Sequence, residues 1–130
     1  MAKIPDDPKH FLKIAQSHLA RVEKACAVED WSDLGTYGLY CLEALVRAAA
    51  LKSGETPVRT HYGKIEQAAN LSRKHGLPDI AELLQDLNVA QKATAYGDEE
   101  FDTSLYDAEQ MTRQIKEYYE KVSAFLEQES

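Results

Sequence analysis

Apolar residues recur at steps of three and four along most of this chain, and the first such run is Phe11, Ala15, Leu19, Val22 and Cys26. Lys9, Lys13, Arg21 and Glu23 fall between them, so the spacing predicts an amphipathic helix on the surface of a bundle. Asp7-Pro8 opens it as N-cap and N1, where the missing proline N–H costs nothing. After a short break at Ala27 to Asp30 comes a second helix, about Trp31 to Lys52, that is apolar on most faces. A helix with so little polar face to give to water belongs in the middle of its fold. Ser53-Gly54 ends it, with Gly54 suited to a left-handed C-terminal residue, and Glu55 to Arg59, containing Pro57, reads as a connector.

Thr60 is a natural N-cap for a third, short helix whose Ile65, Ala68 and Leu71 or Ser72 share a face until Lys74-His75-Gly76 closes it. Pro78 starts a fourth, with Asp79 in its first turn and a strong stripe of Ile80, Leu83, Leu84, Leu87 and Gln91 running to about Ala95. Gly97 to Thr103 is an acidic loop. Ser104 then caps a fifth helix carrying Leu105, Ala108, Met111, Ile115, Tyr118, Val122 and Phe125. No strand pattern, repeat or low-complexity tract interrupts this order. The expected fold is all-α: an up-and-down antiparallel bundle of four long helices plus one short one, the second central and the first, fourth and fifth facing it.

Composition narrows the function more than the fold. At 130 residues, 44% apolar and 28% charged, the chain has the size and balance of one globular domain, 1–130. Its formal charge of −7 repels phosphate backbones, so neither DNA nor an anionic membrane surface is an expected partner. The first residues contain no apolar leader segment and no stretch is long enough to span a bilayer, which points to a cytoplasmic protein. Cys26 and Cys41 form no Cys-x-x-Cys pair or zinc set and are expected to be small buried hydrophobes.

Candidate chemistry begins with Glu43 and Arg47, four apart in the most apolar helix, where a mutual ion pair is natural. Such a pair is either a satisfied part of the core or the polar lining of a ligand pocket or of a groove between protomers. His61, with Tyr62 and Lys64 beside it and Arg59 before it, opens the third helix and is either the one local site suited to phosphate or an ordinary first-turn residue. His10, His18 and His75 are scattered, no Glu-x-x-His occurs, and neither a metal nor another cofactor is expected. Asp98-Glu99-Glu100-Phe101-Asp102 lacks the spacing of a calcium loop and reads best as solvated charge, with a basic partner or divalent cation as the alternative. Tyr37, Tyr40, Tyr96, Tyr118 and Tyr119 suit core packing first and a dimer interface second. The usual nucleotide-loop and hydrolase signatures are absent.

The succession Cys41-Leu42-Glu43-Ala44-Leu45-Val46-Arg47, then Thr60-His61, then Ala95-Tyr96-Gly97-Asp98, resembles the HEPN family over roughly Phe11 to Leu126. Glu43 and Arg47 look like that family's second-helix pattern, Thr60-His61 like the opening of its third helix, and Tyr106 to Val122 like its last. The resemblance implies a homodimeric helical bundle, in a family that includes RNase toxins of toxin–antitoxin pairs and partners of nucleotidyltransferases. The ribonuclease members carry an Arg separated from a His by four to six residues, both directed into a cleft at the dimer interface. Here Arg59 to His61 and Arg73 to His75 are each separated by a single residue, and Ala95 precedes Tyr96 where many relatives have Arg. Both departures remove positive charge from where RNA chemistry needs it.

The expectation is therefore a non-catalytic binding or accessory module. Its implied partner is a separately encoded nucleotidyltransferase that brings the metal and the catalytic carboxylates, and its implied ligand is a nucleotide. Glu43, Arg47, Arg59, His61, Tyr62 and Tyr96 are the candidate binding residues. The alternatives are a divergent RNA-cutting member using His61 with Arg47 or Arg59, and a purely structural assembly protein.

Overall fold

A computed structural model describes residues 7–95 and 103–128, with the side chains of 93–95 excepted. Its elements are α1 (Pro8–Ala27), α2 (Trp31–Lys52), α3 (His61–His75), α4 (Ala81–Ala95), a 3-10 turn at Thr103–Leu105, and α5 (Ala108–Glu127). The chain is an all-α, up-and-down bundle, and no strand occurs among the described residues. Twelve of the 22 residues of α2 are buried, and α2 touches each of the other four helices, so the apolar excess read from its sequence does place it at the centre. Leu42 and Leu45 are fully buried, each contributing about 1.5–3 kcal/mol by leaving water.

Local chemistry sets most helix ends. The Asp7 carboxylate accepts from Lys9 N at 3.0 Å, the Thr60 hydroxyl from Gly63 N at 2.9 Å, and Gly76 closes α3 in the left-handed region at φ 71°. Two ends differ from the expectation. Pro78 and Asp79 precede α4 instead of starting it, because the Asp79 carboxylate accepts from Ala81 N at 3.0 Å and so caps a helix that begins two residues later. Ser104 lies in the 3-10 turn, and Asp107 caps α5 by accepting from Gln110 N at 3.1 Å. A cap at Asp107 leaves Leu105 outside the helix and 74% exposed, off the stripe it was assigned to. On α1 the stripe shifts slightly: Ala25 is buried while Leu19 and Cys26 are only half-buried. Cys41 alone of the two cysteines is fully buried, and burial pushes its thiol up to about 12.

The ends of α1 and α2 share one geometry. At α2, Gly54 N–H donates to Leu51 O and Glu55 N–H to Ala50 O, with Gly54 at φ 83°. At α1, Glu29 N–H donates to Cys26 O and Asp30 N–H to Ala25 O, with Glu29 at φ 54°. This paired closure wants glycine at its left-handed position, where a β-carbon costs about 1–2 kcal/mol. Glu29→Gly is therefore expected to raise the stability by up to about 1 kcal/mol, the remainder being offset by the larger entropy of an unfolded chain with one more glycine. Urea unfolding measures it, and a lowered midpoint would refute the assignment of strain to Glu29.

Candidate functional site

One cleft of about 240 Å³ opens between α1, the outer face of α2, the connector after it and the first half of α3. Phe11 and Ile14 form its α1 side, Ala44 and Val46 its α2 side, and Pro57 and Val58 its connector side. The polar groups set into these walls are His18, Tyr40, Glu43, Arg47, Lys64 and Gln67. Tyr40, Glu43 and Arg47 are spaced three and four apart, so the helical turn delivers them to one edge of an otherwise apolar helix.

Gln67 fixes the connector wall. Its side chain, only 6% exposed, accepts from Val58 N at 3.2 Å through Oε1 and donates to Thr56 O at 3.0 Å through Nε2. Gly63 lies so close that a β-carbon there would meet Val58 Cγ1 at 2.5 Å, which locks the first turn of α3 against the same wall.

Electrostatics of the cleft depart from the expected Glu43–Arg47 pair. Lys64 Nζ donates to Glu43 Oε2 at 3.2 Å, with the two side chains 20% and 22% exposed. Glu43 thus pairs across helices and not along its own. Arg47 sets its guanidinium carbon over the Phe11 ring, 5.1 Å from the centroid, and no carboxylate among the described residues lies within salt-bridge distance of it. Arginine's flat, weakly hydrated head suits such stacking, and the intrahelical pair is given up because α3 brings an ammonium to Glu43. A double-mutant cycle should find about 0.5–1 kcal/mol of coupling between Glu43 and Lys64 and close to none between Glu43 and Arg47. The reverse order would refute this pairing.

His18 forms a three-ring cluster with Tyr37 and Tyr40, its ring centroid 6.0 Å and 5.4 Å from theirs, and its buried Nδ1 has no hydrogen-bonding partner among the described residues. Burial first, then the nearby charge of Arg21, holds its pKa below the ordinary histidine value, so the ring is neutral at pH 7. Arg21 itself donates to the Tyr37 hydroxyl at 3.2 Å.

Of the residues singled out from sequence, Glu43 and Arg47 line the cleft. Arg59 and Tyr62 are exposed, Tyr62 at 81%, and His61 is half-buried with its ring 6.2 Å from that of Tyr62; these three do not line it. Tyr96 and the acidic run Asp98 to Asp102 lie outside the described residues. Sequence reasoning missed His18, Tyr40, Lys64 and Gln67. A signal for His18 exists, because Phe11, Ile14 and His18 are themselves at helical spacing, one step round from the main stripe. No group of His, Cys, Asp or Glu side chains among the described residues is arranged to hold a metal ion, and no described helix is long and apolar enough to cross a membrane.

The HEPN domain family model matches residues 8–128, from the first residue of α1 to just past the end of α5. The chain belongs to the HEPN domain family. No curated protein matches it significantly. In this HEPN domain the cleft draws its histidine from α1 and its arginine from α2.

Proposed function

We propose that this HEPN domain is a non-catalytic binding module, homodimeric, that supplies the ligand-binding half of a separately encoded nucleotidyltransferase. The observation that carries the reading is the cleft itself: apolar walls around one guanidinium without a carboxylate partner among the described residues, with the neighbouring carboxylate already engaged by Lys64. Such a site is equipped to hold a ligand. It is poorly equipped to transfer a proton, because a catalytic imidazole is oriented by a hydrogen bond at its second nitrogen, and His18 Nδ1 has no such partner among the described residues.

The second reading, a divergent RNA-cutting HEPN protein, draws on His18 and Arg47 lining the same cleft. Incubating purified protein with a structureless RNA in the presence of chelator separates the two. No cleavage is expected. Cleavage that disappears in His18→Ala or His61→Ala would overturn the binding-module reading. Light scattering tests the assembly, expected at twice 14.6 kDa; a monomer at micromolar concentration would remove the dimer from the proposal.

A further inference from the structure

We propose that the cleft takes a small organic monocarboxylate with a flat apolar body, its carboxylate on Arg47 and its body against Ile14, Val46 and Val58. The inference rests on the cleft being a ligand site and names the chemistry of what enters it. Charge sets the first limit. Glu43 and Lys64 neutralise each other at 3.2 Å, leaving Arg47, among the described residues, as the cleft's single uncompensated charge in a chain of net −7. One guanidinium balances one carboxylate, whereas a phosphate ester of higher charge would meet one free cation and a repelling field.

Geometry sets the second. The guanidinium carbon sits over the Phe11 ring, 5.1 Å from its centroid, a contact that uses none of its N–H groups and so leaves them to engage a carboxylate as a two-pronged pair. Size sets the third. A volume of about 240 Å³ is below the range of about 300–1,000 Å³ usual for drug-sized ligands, which fits a single ring with a short acidic arm. The wall made by Ile14, Val46 and Val58 is apolar and Gln67 has both ends of its amide engaged, so that part of the cleft favours a body without polar groups of its own.

Phenylacetate is the probe, titrated into the full-length protein at pH 7 while the methyl resonances of Ile14, Val46 and Val58 are followed by NMR. Those methyls are expected to shift saturably. Phenylacetamide, of the same shape without charge, should bind about ten- to a hundredfold more weakly, the usual worth of a charge-assisted pair. Arg47→Met should lose the same factor, and Arg47→Lys should fall between, keeping charge but not the fork. Because phenylacetamide is compared on the unmodified protein, the result does not depend on either variant folding. Equal binding of acid and amide would overturn the proposal, as would tighter binding of adenosine monophosphate at the same methyls, which would leave the binding-module reading in place. No shift with any probe would overturn the proposal as well, and the RNA assay would then decide the module's role separately.

Discussion

Gly35→Ala is expected to lower the stability of the bundle by about 1–3 kcal/mol, although the same exchange in an unconstrained helix interior gains about 1 kcal/mol. At Gly35 the α2 backbone runs directly against α4: a β-carbon would sit 2.8 Å from Gln91 N and 3.0 Å from Leu87 O. Both obstacles are main chain and cannot rotate away, so the two helices must separate, and the leucine contacts along α4 loosen with them. Gly38 provides the internal comparison. The nearest atoms to its added β-carbon would be the side-chain ends of Leu87 and Ile115, at 3.1–3.2 Å, which can give by a few tenths of an ångström. Gly38→Ala is therefore expected to be close to neutral. Urea unfolding of the two variants decides the matter, and a Gly35→Ala protein as stable as its parent would mean that α2 and α4 are not in backbone contact.

Tyr118→Phe should act in the opposite direction. Tyr118 is fully buried on α5, and its hydroxyl has no hydrogen-bonding partner among the described residues. A buried hydroxyl left unpaired costs about 1–3 kcal/mol, and phenylalanine removes the oxygen without opening a cavity. Stability should rise by about that amount, whereas Tyr118→Ala should lose about 3–5 kcal/mol through the space it leaves. The alkaline limb supplies a second readout. Burial raises the Tyr118 pKa above its ordinary value, so the folded state keeps a proton that the unfolded state releases first. Its contribution is complete below the ordinary tyrosine pKa of about 10 and declines as pH rises above it, a decline expected in the parent and absent from Tyr118→Phe. Destabilisation by Tyr118→Phe would show that the hydroxyl is paired after all.

The parts of this fold that could be read from sequence are those fixed within a turn or two of chain. The spacing of Leu83, Leu84 and Leu87, the Asp7 and Thr60 caps and the glycine ends at Gly54 and Gly76 all depend on neighbours in sequence. Ser104 and Pro78 misled for the same local reason, since each is a good helix opener with a better cap beyond it, Asp107 three residues on in one case and Asp79 the next residue in the other. The cleft was legible only in part. Glu43 and Arg47 could be found because they break an apolar helix, but their partners could not, because Lys64 and Phe11 reach them only through the packing of α3 and α1 on α2. His61 drew notice by standing at a helix start, yet the cleft is lined by Lys64 and Gln67, three and six residues further along α3, and not by His61.

The wall formed by Pro57 and Val58 is tied to α3 by the two ends of one amide, that of Gln67, and not by backbone pairing with a helix. Releasing those two bonds, together with the packing of Val58 on Gly63, detaches a few connector residues while the five helices keep their own backbone bonds and their shared core. The cleft can therefore be widened at a free-energy cost set by local opening, well below that of global unfolding. Entry of a ligand and integrity of the bundle are governed by different parts of the molecule.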